Sequence, residues 1–105
     1  MRIRLFLAVG SALCLASPAF ADSIDGDWCA PEGGKSLTID GPRLRTPGGR
    51  TITSDYRKYS VTYVAPEGDW QAGQTIELQF LRRVGVRVRA GGTESIWQPC
   101  PPGVS

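Results

Sequence analysis

The sequence predicts an all-β fold: a small antiparallel meander, closed as a barrel or strongly curved as a sandwich, of about seven to eight short strands with one disulfide. Three observations predict it. Turn-forming residues recur at intervals too short for a long helix, the runs between them alternate apolar and polar residues, and Cys29 and Cys100 bracket the whole pattern.

The turn residues are Gly33-Gly34, Asp40-Gly41-Pro42, Pro47-Gly48-Gly49, Pro66-Glu67-Gly68-Asp69, Gly85 and Gly91-Gly92. Between them Leu37 and Ile39 alternate with polar neighbours, as do Tyr59, Val61 and Tyr63, then Ile76, Leu78 and Phe80, and finally Val86 and Val88. A period of two places one set on a buried face and the other in solvent. Strands are expected near 26–30, 35–40, 43–46, 50–54, 58–64, 74–81, 86–90 and 93–98. Short connections make consecutive strands antiparallel neighbours, and closure removes the exposed edges of such a sheet.

Ahead of this pattern stands a different kind of segment. Arg2 and Arg4 precede a twelve-residue, mostly apolar stretch from Leu5 to Ala16, and Ala19 and Ala21 flank Phe20 just before Asp22. A basic start, a short apolar core and small residues at the last and third-last positions are the signature of a secretory signal peptide, here 1–21. The stretch is shorter than the roughly 20 residues that a membrane-spanning helix needs. A single domain is expected over 22–105, with a Pro-rich tail from Pro99, in an exported, periplasmic protein without membrane insertion.

Removing that segment changes two counts. Cys14 leaves with it, so three cysteines become the pair Cys29 and Cys100, which an oxidising compartment would join. The bond would close a loop of about 72 residues and contribute roughly 4 kcal/mol to a small, marginal core. The 12 cations of the full chain also lose Arg2 and Arg4, leaving ten against ten acids. Net charge then gives no support to nucleic-acid or anionic-membrane binding, which needs an excess of cations facing phosphates.

The chain contains no histidine. That removes Ser-His and Cys-His nucleophile systems and imidazole metal ligands. Asp22, Asp25 and Asp27 lie close together, but not at the spacing of a calcium loop, and read as a solvated acidic cluster. Lys35 beside Ser36, and Lys58 near Ser60, read as surface positions flanking strands. The chain is therefore read as non-catalytic, with no metal and no cofactor.

Of the three tryptophans, Trp28 is expected to plug one end of the barrel. Ile96 and Trp97 are adjacent and must face opposite ways. Trp70 sits in a polar loop, where its ring either folds back over the core or stays exposed as a binding anchor. Arg43 with Arg45, and Arg87 with Arg89, form two outward stripes that would merge if their strands were adjacent; Glu77, Glu94 and Asp55 are their candidate ion-pair partners. Arg57, Lys58, Arg82 and Arg83 add basic turn positions. Trp70 and these four cations are the candidate binding residues.

The opening Gly26-Asp27-Trp28 resembles the Gly-x-Trp start of lipocalin-like and avidin-like barrels, among them small periplasmic inhibitors of bacterial metalloproteases. A longer stretch, from Ile24 to Cys100, looks like a set of small exported bacterial β proteins of unknown function. Its shared features are Gly26-Asp27-Trp28-Cys29, Ile39-Asp40-Gly41-Pro42, Thr46-Pro47-Gly48-Gly49, Asp55-Tyr56, Tyr63-Val64-Ala65-Pro66 with Gly73-Gln74, and a final Trp97 and Cys100. The resemblance implies a fold and a compartment and carries no activity. The expectation is a monomeric envelope module that binds an unknown protein or small ligand. The alternative is an inhibitor of an exported hydrolase, either a protease or a lysozyme. An enzyme working with carboxylates is the third reading.

Overall fold

The computed structural model describes residues 23–103. The expected signal peptide, Cys14 and Asp22 lie outside the described residues, as do the last two positions. Among the described residues nine strands form one antiparallel sheet: β1 (Gly26–Cys29), β2 (Ser36–Asp40), β3 (Arg43–Arg45), β4 (Thr51–Thr53), β5 (Asp55–Arg57), β6 (Ser60–Val64), β7 (Thr75–Leu81), β8 (Gly85–Ala90) and β9 (Thr93–Pro99). Their spatial order is β4-β3-β2-β1-β9-β8-β7-β6-β5. The two edge strands are joined in sequence by Ser54 alone, so the sheet curls until β4 and β5 meet.

That join explains why nine strands appear where eight were expected. Thr51–Thr53 pairs with β3 and Asp55–Arg57 pairs with β6. Eight successive antiparallel pairings leave β4 and β5 running the same way, so they act as one strand bent at Ser54. The bend is held by Pro42, whose carbonyl oxygen accepts from the Ser54 amide at 2.7 Å and from its hydroxyl at 3.1 Å. A bent strand that changes neighbours turns a corner while leaving few backbone groups unpaired.

The alternating residues fill the interior. Leu37, Ile39, Leu44, Val61, Ile76, Leu78, Val86 and Val88 are all buried, and Trp28 and Trp97 join them. Within β7 each inward residue is flanked by an exposed one. Trp97 points inward while Ile96 is only half-buried. Tyr59 departs from the expected pattern. It lies in the β5–β6 turn rather than in a strand and is 46% exposed, although its ring stacks on Phe80 at 6.2 Å.

Cys29 and Cys100 are bonded, with Cα atoms 5.0 Å apart. The bond reinforces a thin seam, because β1 and β9 pair only through Trp28 with Pro99 and Cys29 with Gln98. One further backbone hydrogen bond, from the Cys100 amide to the Asp27 carbonyl at 3.0 Å, extends the contact. Pro99 thus belongs to the last strand, and the chain leaves the barrel only after the disulfide.

Candidate functional site

Apart from the bend at Ser54, the strand directions sort the connections to one of two ends. The β1–β2, β3–β4, β6–β7 and β8–β9 connections lie at one end. The segment directly preceding β1 and the β2–β3, β5–β6 and β7–β8 turns lie at the other. The candidate binding residues divide the same way, with Trp70 at the first end and Arg57, Lys58, Arg82 and Arg83 together at the second. The structure brings the four cations onto one rim and leaves Trp70 at the opposite end.

At the Trp70 end the loops are stitched shut. Trp70 is half-buried and packs on Trp97 with ring centroids 5.6 Å apart, while Lys35 Nζ lies 5.8 Å from its ring centre. Of its two expected placements, the ring takes the one over the core. Asp69, its neighbour, has a fully buried side chain. Its Oδ1 accepts from the amides of Gly48 and Trp70, both at 2.8 Å, and Oδ2 accepts from the Thr46 hydroxyl. Arg50 lies 3.5 Å from Oδ2. Burial pushes the Asp69 carboxyl up, but the hydrogen bonds from Thr46, Trp70 and Gly48 and the Arg50 cation outweigh it and hold the group below its ordinary range. Nearby Tyr63 is buried with no hydrogen-bond partner for its hydroxyl among the described residues. Burial, with a smaller contribution from Asp69, raises its pKa and keeps it un-ionised.

The opposite end is plugged by the segment that directly precedes β1. Ile24 is completely buried, its amide donates to the Lys58 carbonyl at 3.0 Å, and its own carbonyl accepts from Trp28 Nε1 at 2.8 Å. Trp28 meets Phe80 edge to face at 6.1 Å. Asp25 is not the solvated acid that its composition suggests. It accepts from the Gly41 amide at 2.7 Å, the Tyr56 hydroxyl at 2.7 Å and Ser23 at 2.8 Å. Burial raises its pKa, yet those donors outweigh burial and lower it overall. Asp27 does face solvent and accepts from Thr38 at 2.8 Å.

With both ends plugged and the strands between them filled, the barrel interior is packed side chain against side chain. Clefts at the surface lie at the β1–β2 loop and on the outer face of the sheet. One is lined by residues of the β1–β2 loop, including Glu32 and Lys35, which pair at 2.6 Å. Another lies against Glu77, Arg89 and Glu94 on the outer face of the sheet. Among the described residues no cluster of three potential metal-ligating His, Cys, Asp or Glu occurs.

The arginine stripes do not merge. β2, β1 and β9 separate the strand of Arg43 and Arg45 from that of Arg87 and Arg89. Arg89 sits in register between Glu77 and Glu94 and approaches them at 3.6 and 3.1 Å. Arg87 instead donates to Gln79. Two of the three expected acidic partners are thus used on this face, and Asp55 approaches Arg57 at 3.7 Å with both groups largely exposed. Such exposed pairs are worth about 0–1 kcal/mol.

Two turns remain with cations that form no ion pair among the described residues. Lys58 lies in the β5–β6 turn, with Nζ 5.5 Å from the Tyr59 ring centre. Arg82, Arg83 and Val84 form the β7–β8 turn, closed by the Val84 amide donating to the Leu81 carbonyl at 2.9 Å. Arg83 has φ +66°, the left-handed value that such turns normally give to glycine. An L-residue there costs roughly 1–2 kcal/mol. Two of the large exposed apolar side chains of the protein, Tyr59 and Val84, sit on these same turns.

Sequence reasoning found the cations but missed Asp69 and Asp25. The local signal for Asp69 was its place in a Pro-Gly turn, where an Asp side chain readily accepts backbone amides. Its partners at Thr46 and Gly48 lie beyond the reach of any strand or helix period. Compared with known proteins, the chain matches no family model, no curated protein and no solved structure.

Proposed function

We propose that this protein is a non-catalytic binding module of an exported envelope protein, and that its contact face is the pair of hairpin tips carrying Arg57, Lys58, Arg82 and Arg83. The single observation behind this reading is the contrast between the two ends. One end uses its polar groups on itself: Asp69, Thr46, Gly48 and Trp70 satisfy one another. The other presents six exposed residues in a row of two turns, Arg57 to Tyr59 and Arg82 to Val84. A packed interior supports surface recognition over enclosure of a small ligand. Asp25 and Asp69 both lie below the ordinary carboxylate range, which supports a structural role over general acid or base work.

The test is capture by isolated cell envelopes at low salt. Wild-type protein is expected to sediment with the envelopes, and the variant with Arg57, Lys58, Arg82 and Arg83 all changed to Ala is expected to stay in solution. Trp70→Ala, if still folded by circular dichroism, should sediment like wild type. Equal sedimentation of the wild type and the fourfold variant would remove the basic end from the account.

A second reading, inhibition of an exported hydrolase, is favoured by the fixing of the β6–β7 loop. Asp69 pins that loop while leaving Glu67 and Gly68 exposed at its tip, and a preorganised loop loses little entropy on binding. Undiminished activity of a protease and lysozyme panel at micromolar protein would dismiss it.

A further inference from the structure

Resting on the basic-end reading above, we infer that the partner of the two hairpin tips is the anionic lipid surface of a membrane, held peripherally and without a spanning segment. Three features carry this. Lys58, Arg82 and Arg83 form no ion pair among the described residues, and Arg57 has only the exposed Asp55, so the β5–β6 and β7–β8 tips together carry four cations against one acid. The tips are exposed at every residue from Arg57 to Tyr59 and from Arg82 to Val84. Long basic side chains on convex tips suit a planar, laterally mobile array of phosphates better than a shaped protein surface.

The remaining feature separates a bilayer from a soluble polyanion. Tyr59 and Val84 are 46% and 49% exposed and stand among the cations. Tyr59 is braced from behind by the Phe80 ring and flanked by Lys58 Nζ. A tyrosine with an apolar body and a polar hydroxyl is the side chain that settles at headgroup level. Val84, at the apex of the neighbouring turn, would bury its methyl groups in the same layer. An otherwise balanced charge does not oppose this, since attraction to an anionic surface acts over about a Debye length and depends on the cations nearest to it.

Sedimentation with lipid vesicles tests the inference on the purified, disulfide-bonded protein. Vesicles of phosphatidylcholine containing a quarter phosphatidylglycerol are expected to bind it, and pure phosphatidylcholine vesicles are not. Lys58→Ala, Arg82→Ala and Arg83→Ala should each weaken partitioning roughly fivefold, and physiological salt should weaken it further. Val84→Ser, a change at an exposed turn that leaves the core intact, should weaken binding to the anionic vesicles and leave retention on a soluble polyanion such as polyphosphate unchanged. If Val84→Ser leaves vesicle binding unchanged, the bilayer inference is overturned in favour of a polyanion. Should the fourfold variant lose envelope capture while anionic vesicles bind nothing, the face stands and an acidic protein or polysaccharide replaces the lipid. Loss of neither removes both readings.

Discussion

The Gly48 amide donates to Asp69 across 21 residues of sequence and across the closed end of the barrel. In the sheet order β3 and β6 are separated by five strands, so their following loops meet only because the sheet curls round. A Cβ on Gly48 would lie 2.7 Å from the Asp69 carboxylate, which makes glycine a steric requirement there. Asp69→Ala is expected to destabilise the protein by about 2–4 kcal/mol, since it strands the Gly48, Trp70 and Thr46 donors at once. Gly48→Ala should do similar damage by expelling the carboxylate. Urea unfolding followed by tryptophan fluorescence measures both, and a loss below about 0.5 kcal/mol in either would show that the latch is not structural.

Acid should unfold this protein and neutral pH should leave it unchanged. Asp25 and Asp69 both have pKa values lowered below 3.8 in the folded chain. A group lowered on folding stabilises above its unfolded value and loses that contribution as pH falls through its folded value. Stability is therefore expected to be flat from about pH 5 to 8, with no histidine to titrate, and to decline below about pH 4. Melting temperature measured across that range checks the sign, and a transition near pH 6 would contradict it.

The disulfide holds the weakest seam of the sheet. Its two cysteines are 71 residues apart, and β1 meets β9 through only two residue pairs. Replacing both with Ser is expected to lower stability by about 4 kcal/mol on chain-entropy grounds. Denaturant midpoints of the oxidised protein and the double variant give the comparison. A difference under about 1 kcal/mol would mean that the seam holds without its covalent bond.

Tyr63 is expected to give the opposite result. Its hydroxyl is buried without a partner among the described residues, so Tyr63→Phe removes an unsatisfied polar group while keeping the ring. The variant should be as stable as wild type or more stable by about 1 kcal/mol. A clear loss in thermal or urea unfolding would reveal a bond to that oxygen, such as one from a buried water.

Arg83 joins stability to the contact face. Its φ of +66° favours glycine, so Arg83→Gly should raise stability by about 0.5–1 kcal/mol. The same change should weaken envelope capture. A variant that is more stable and binds equally well would show that this arginine is not held at a strained position for binding.

Much of this barrel was legible in the chain. The inward set from Leu37 to Val88 is written in period-two alternation, because a strand sends neighbouring side chains to opposite faces regardless of its partners. The corner at Ser54 was not legible, because β4 and β5 read locally as a strand and a turn and differ only in which neighbour accepts their hydrogen bonds. Nor was the placement of Tyr59, which a continuous alternation assigned to a strand but the turn before Ser60 leaves half exposed.

The sequence by itself determined the alternating faces, the turns and the candidate disulfide, because these depend on residue type and short spacing along the chain. Only the tertiary structure decided that Trp70 covers the core, that Asp25 and Asp69 fasten opposite ends of the barrel, and that four scattered cations share one rim. Those relations include bonds between residues 16 to 31 positions apart. They exist only once the sheet has closed, since closure, and not local preference, brings those loops within hydrogen-bond reach.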